Sequence, residues 1–421
     1  MSLCYQFELP TTGNLSLSQL RSIEHRQLLL DADSRRALVR DTLKKAKRSS
    51  TPDVIAVINA IDSYIPYLFT ILQALETGEI EPAVSPLVPS WRLPMRSALS
   101  VSPRTTLIEP PRVEVASLQY ERGMVLYTYA LAYMAAAEAV QASAPVTAEN
   151  DTETGPADRL KQISGYLRRA ESVFRYILSM PKDGLASIPD LSAQVLGGFV
   201  TFVSGSLHMA MVHKVLRQES LESSTLYSRV SLFAAEKFAS AYQMFTSAAS
   251  IAGLASGSTA GNDDSKSRFK RFHVKTAALK QLGAQSPLLG WLDGQQRYCI
   301  AAAEVFMAGA AYNNNNVGLA VGFLTHARDT TNGDGGSHSS TAQILLRDRI
   351  TDMLRRYTAE NDRISFQEVP GPETVVQKWP SGREVVQPQE PWVPPASLLN
   401  DEIGGLETKP AAAPTAQQGY Y

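Results

Sequence analysis

The side chains able to do chemistry are few and scattered. Six histidines, His25, His208, His213, His273, His326 and His338, are the residues whose charge can change near neutral pH. His208 and His213 stand five apart, which turns them to different faces of a helix, so they are not a His-x-x-x-His metal pair. Neither Cys4, Cys299 nor any carboxylate completes a cluster at ligand spacing. Thr259 lies at the centre of Gly257-Ser258-Thr259-Ala260-Gly261, a loose nucleophile-elbow spacing, but no strand precedes it and no helix directly follows. Asn332-Gly333-Asp334-Gly335-Gly336 lacks the alternating acids and the closing Glu of a calcium loop. No Gly-rich phosphate loop follows a strand. The expectation is a chain without catalytic residues, metal or cofactor.

Two basic stretches are the other candidates. One runs from Arg35 to Arg48; the second places Lys266, Arg268, Lys270 and Arg271 around Phe269 and Phe272. Cations near an anionic lipid surface gain about 1 kcal/mol each, so these four are candidate contacts to a membrane or an acidic partner. The same pattern also serves a solvated helix face with two core phenylalanines.

Such residues need elements to position them. With 421 residues, 44% of them hydrophobic and 19% charged, the chain can build a sizeable core. Lys+Arg 40 against Asp+Glu 41 lacks the basic excess of a nucleic-acid binder. Two cysteines cannot make a disulfide framework. The first ten residues carry neither the charged nor the apolar region of a signal peptide, and the apolar run from Gly123 to Ala137 reads as a buried core helix. A soluble cytosolic protein is expected.

Tyr5 to Leu9 alternates like a short strand. Helical periodicity begins at Ser16, with Ser34 able to cap a segment ending at Lys44–Arg48 and Pro52-Asp53 opening the next. Prolines exclude helix over residues 79–111, whose flanks Ser90–Leu93 and Arg112–Val115 can pair as strands. Helices then follow from Ser117, Asp158, Pro189-Asp190, Leu226, Lys266, Pro287, Gly318 and Thr341, separated by polar loops near 143–157, 253–265 and 330–340. Beyond Glu360 a Pro-rich strap leads to a disordered tail. The boundaries read as one domain over 1–395 and a tail over 396–421. Paired long helices suggest a tetratricopeptide-like stack, although no fixed sequence period is present.

Ser117-Leu-Gln-Tyr-Glu-Arg-Gly-Met-Val-Leu-Tyr-Thr-Tyr-Ala-Leu-Ala132 resembles the central helix of the Bro domain family. Other blocks fall in that family's order. Phe7-Glu-Leu-Pro-Thr-Thr12 is similar to its N-terminal strand, and Trp91 with Arg112-Val-Glu-Val115 to its small sheet. Gly318-Leu-Ala-Val-Gly-Phe-Leu-Thr-His-Ala327 and Asn361-Asp-Arg-Ile-Ser-Phe-Gln-Glu-Val-Pro370 resemble its late blocks. The ending, Pro380-Ser-Gly-Arg383 and Pro391-Trp-Val-Pro-Pro395, resembles the fungal ambient-pH-response members.

The resemblance implies a mainly α, boomerang-shaped domain with a tetratricopeptide-like core and a small N-terminal β element. It implies a non-enzymatic adaptor that binds the C-terminal amphipathic helix of an ESCRT-III filament subunit. That adaptor would link a plasma-membrane pH-sensor complex to proteolytic activation of a transcription factor in alkaline pH signalling. It would be cytoplasmic, with only peripheral membrane association at plasma-membrane or endosomal sites, and would bind no nucleic acid. The family's apolar patch falls on Met209, Leu226 and Val230, with Met211 nearby; Met209 stands where the family has Phe. Leu226 and Val230, four apart, share a helix face that suits a helix-in-groove partner. Two other readings stand beside this one: a general endosomal-sorting adaptor of the same fold, and an enzyme assembled from dispersed residues, which would need a deep pocket of converging His, Asp or Glu.

Overall fold

The structure, a computed structural model, describes residues 3–99, 112–142, 156–181, 184–185, 188–216, 224–251, 286–332 and 341–399. Long helices dominate. They are α1 (Arg26–Arg48), α2 (Val54–Thr77), the short α3 (Met95–Ala98), α4 (Leu118–Ala142), α5 (Pro156–Ser179), α6 (Ala193–Leu216) and α7 (Ser224–Ile251). After them come α8 (Pro287–Asn313), α9 (Val317–Asn332), α10 (Thr341–Glu360) and the short α11 (Pro372–Gln377). Local chemistry sets several ends. Lys45, Lys47 and Arg48 occupy the last turn of α1, where cations complement the helix dipole. The Asp53 carboxylate caps α2 by accepting from Ala56 N–H at 2.9 Å, and Gly78 closes that helix in the left-handed conformation.

The long helices pack on their neighbours in chain order: α1 on α2, α2 on α4, and then each on the next through to α10. This is the stacking logic of a helical-repeat protein. Among the described residues three helices, α2, α4 and α6, are long and apolar enough to cross a membrane by length and composition. In this fold their apolar faces build the core, and α4 is 25 residues long, well beyond the apolar run visible in the sequence. Phe174 of α5 stacks on Phe199 of α6 at 4.6 Å, and Tyr127 of α4 and Phe245 of α7 meet Phe199 edge-on. Such aromatic pairs contribute about 0.5–1.5 kcal/mol each beyond their buried area.

The two expected strands form as β1 (Ser90–Trp91) and β2 (Val113–Glu114), antiparallel, with Ser90 opposite Glu114 and Trp91 opposite Val113. Four local expectations are corrected. Within residues 79–111, where helix was not expected, Pro94 leads into the short α3, because a proline is tolerated at the start of a helical turn. Tyr5–Leu9 is extended but joins no ladder: its alternation reflects Phe7 inserting against Phe199 and Phe202 of α6 while Tyr5 meets Trp291 of α8. Pairing begins only at Thr12, bridged to Trp91. Ser34 lies inside α1, whose buried stripe starts at Leu29 and continues through Ala32 and Arg36. Pro189 and Asp190 form a separate 3-10 turn, and α6 starts at Ala193.

The Bro-like signature helix owes its Glu to this N-terminal assembly. Glu121 is fully buried, accepting from Arg36 Nε at 2.8 Å and from Trp91 Nε1 at 2.7 Å. Arg36 also donates to Gly13 O and Thr12 Oγ1. Segments from α1, β1 and α4 therefore meet at one carboxylate, and residues 12–13 hold the arginine beside it. Leaving either charge of such a buried pair without its partner costs about 3–5 kcal/mol.

After α10 the chain turns back. Residues 366–399 form a strap that crosses the helices in reverse order, touching α9, α8, α7, α6, α5 and finally α2. Its start is seated by Asn361, whose side chain brackets the backbone of Gln367. Gln367 in turn accepts from Gly318 N–H at 3.0 Å, satisfying an open donor in the first turn of α9. A Cβ at Gly318 would collide with the Glu368 carbonyl, so this close approach requires glycine. Of the expected tail over residues 396–421, residues 396–399 continue the strap, with Leu398 bonded to Thr70, and 400–421 lie outside the described residues.

Candidate functional site

The expected partner-binding residues sit on α6 and α7, which lie side by side and antiparallel. Thr201 meets Met244, and the His208 ring packs 4.6 Å from that of Phe233, so the two helices keep a constant register. Residues three, four and seven apart share a helix face. By that rule Thr201, His208 and Met211 face the same way on α6, as do Leu226, Phe233, Lys237 and Met244 on α7.

On this shared face the sequence-derived patch is only partly at the surface. Met209 and Val230 are fully buried in the core. Met209 points away from the His208 face because one residue turns a helix by about 100°. Leu226 is half-buried, and Met211, two residues beyond Met209, is 38% exposed. Met211 and Leu226 are therefore accessible apolar side chains at this end of the pair, with Leu216 and Tyr227 also partly buried there. Lys266, Arg268, Lys270 and Arg271 lie outside the described residues.

The middle of the face is occupied by the strap. Arg229 Nε of α7 donates to Ser381 O, and Arg383 N–H donates back to Arg229 O, both at 3.0 Å. Gly382 lies over Phe233 so closely that a Cβ would meet the main chain of α7. His208, fully buried, accepts at Nε2 from Val385 N–H at 3.1 Å and from Val386 N–H at 3.2 Å. Its Nδ1 lies 2.8 Å from Ser204 O, which fixes that nitrogen as the donor. Burial lowers the His208 pKa below the ordinary histidine value.

A second strap attachment lies on α8. Trp379 Nε1 donates to Glu304 Oε1 at 3.2 Å, and His326 Nδ1 of α9 lies 2.6 Å from the same oxygen. Burial raises the Glu304 pKa, and the hydrogen bond to Glu304 raises that of His326. The sequence contains no signal for the strap's partnerships with Glu304 and His208, which join residues 75 to 178 positions apart. The only local hint is Ser204 four residues before His208, the spacing at which a helical side chain reaches a backbone carbonyl.

An open cleft of about 540 Å³ is lined by Arg328 of α9 and by Thr351, Arg355, Thr358, Asp362 and Arg363 on and after α10; no histidine is among its lining residues. Among the described residues no three His, Cys, Asp or Glu converge as a metal-holding group. Cys4 and Cys299 are both buried and in no disulfide, and burial pushes their pKa values up.

A helical stack with a small sheet and a returning strap defines a class, and the family profile of the BRO1-like domain matches residues 92–400. The chain belongs to the BRO1-like domain family. Within it, the chain is palC-like: it is 28% identical to the pH-response regulator protein palC of Yarrowia lipolytica, with all of both chains covered. It is 25% identical to the palC protein of Emericella nidulans, over 94% of this chain and 90% of that one. Among solved structures, the BRO1 domain of ALIX in complex with CHMP4C superposes with a TM-score of 0.59 at 15% identity, over 93% of this chain and 97% of that one. ALIX bound to the SIVmac239 PYKEVTEDL late domain gives 0.63 at 14% identity over 93% of this chain, which spans 49% of that longer chain. A Bro1 domain described as the basis for endosomal targeting gives 0.61 at 12% identity, over 92% of both. These likenesses establish the fold.

Proposed function

We propose that this protein is a non-enzymatic adaptor of fungal ambient-pH signalling that binds the C-terminal amphipathic helix of an ESCRT-III filament subunit. In this reading it connects a plasma-membrane pH-sensor complex to proteolytic activation of a transcription factor. It works in the cytoplasm and is recruited to signalling sites at the plasma membrane or endosomes. The observation that carries the reading is full-length similarity to proteins named as pH-response regulators. CHMP4C on the similarly folded ALIX domain supports a partner of this kind. On this chain the contact is made by Met211 and Leu226, accessible apolar side chains on the common face of α6 and α7, above a core that holds Met209 and Val230. Exposed methionine suits such a role, because its unbranched thioether adapts to a partner surface.

The test is titration of the full chain with a peptide of that C-terminal helix. Micromolar binding is expected, weakened at least tenfold by Leu226→Asp and by Met211→Asp with helicity unchanged. Binding that survives both substitutions would place the contact elsewhere on the fold. No binding by a folded wild-type chain would overturn the partner assignment.

A further inference from the structure

Between Trp379 and Trp392 the strap is held at both ends, by Arg229 at Ser381 and Arg383, by His208 at Val385 and Val386, and by Ser172 at Glu390, and these holds respond differently to protons. At one end Trp379 Nε1 donates to Glu304, alongside His326. At the other, the Trp392 ring packs against Phe69 of α2 and Tyr176 of α5, and the backbone N–H of Trp392 donates to Ser172 O at 2.9 Å. In the middle, His208 Nε2 accepts two backbone N–H groups while Nδ1 donates to Ser204 O. An imidazole bonded in this way has to be neutral. A proton on Nε2 would aim a third N–H at the two N–H groups of Val385 and Val386, in a site without water access.

We propose that His208 is a proton-sensitive latch: acidification lifts the segment between Trp379 and Trp392 off α6 and α7 as a loop, while both of its ends stay attached. The charged groups facing His208 are few. From α7 comes Lys237, whose ammonium lies 4.8 Å over the Phe233 ring and opposes a second cation. From the strap comes Glu384, which favours one. From its own helix comes only the Ser204 carbonyl. Burial is the largest influence and disfavours the charged ring. The latch is therefore closed above about pH 6.5, where a free histidine is neutral, and weakens as the pH falls below that value. His326 moves in the opposite sense. It gains charge beside Glu304 as the pH falls, so the Trp379 end holds where the middle lets go. Lifting the loop uncovers the Phe233 ring and the outer face of α7, which Gly382 otherwise covers.

Hydrogen exchange of single amides in the full chain, from pH 7.5 to 5.5 and corrected for intrinsic rates, tests this. Opening at Val385 and Val386 is expected to rise by up to about tenfold per pH unit below 6.5, the dependence of a one-proton equilibrium. The Trp379 amide, bonded to Val376 O, and the Trp392 amide are expected to keep their protection. His208→Gln retains an acceptor that does not titrate and is expected to give a flat profile. His208→Phe fills the space without an acceptor and is expected to open the two amides at every pH. Unchanged wild-type protection at Val385 and Val386 down to pH 5.5 would overturn the latch. So would equal opening at Trp379 and Trp392, which would mean whole-strap detachment, or a wild-type pH response in a folded His208→Gln chain. Should neither variant fold, the wild-type profile decides alone.

Discussion

Asp190 is a carboxyl group sealed in the core at the turn that precedes α6. Met95 N–H donates to it at 3.2 Å, yet burial dominates and pushes its pKa up to about 7. A folded state that holds a proton more tightly than the unfolded chain loses stability as the pH rises from about 4, where the unfolded group ionises, to about 7. Above that the penalty is constant. Asp190→Asn keeps an oxygen for Met95 N–H and removes the titration. Urea unfolding of both chains at pH 5, 7 and 8.5 is expected to show the variant gaining on wild type between the first two and holding that gain at the third. A difference that ignores pH would show that Asp190 is uncharged for another reason. The sequence marks Pro189-Asp190 as the start of a helical segment, which is near the truth. It does not reveal the proton, because the burial comes from segments such as Met95 that are distant in the chain.

At the scale of elements, what can be read from sequence divides by the range of the interaction. The basic last turn of α1 and the caps of α2 and α8 follow from residues within one or two turns, and the pairing of β1 with β2 follows from their flanking prolines. The strap belongs to the other kind. Its residues read as extended from their prolines, but its route over five other helices after α9 is set by single bonds from Glu304, Arg229, His208, Ser172 and Thr70. The same division explains the candidate patch. Helical spacing puts Leu226 and Val230 on one side of α7, whereas the depth of Met209 and Val230 depends on neighbours that periodicity does not name. The docking of the strap on α9 is testable through Gly318→Ala. The helix itself gains about 1 kcal/mol from the substitution. The clash with Glu368 O costs about 1–3 kcal/mol as overpacking, so the strap is expected to yield at its seat. Limited trypsin digestion is expected to cut faster at Arg363 and Lys378 in the variant, and equal rates would show that α9 moves instead.

At the scale of the molecule, a stack in which each helix touches its neighbours unfolds piecemeal unless something spans it. Two segments do. The N-terminal stretch inserts Tyr5 and Phe7 against α8 and α6, and the strap joins α9 to α2. A chain ending at residue 378 is expected to keep its helices but to lose their coupling, so that amides of α2 and α9 exchange through separate openings. Continued joint exchange in the shortened chain would show that the core alone carries the cooperativity. The bond from Leu398 N–H to Thr70 Oγ1 closes a separation of 328 residues. It is among the last that a ribosome can allow. At about 5–20 residues per second, α6 and α7 are complete for many seconds before residues 379–393 exist to cover them. A newborn chain thus displays its His208 and Phe233 face bare, and any helix-bearing partner present during translation meets that surface before the strap can compete for it.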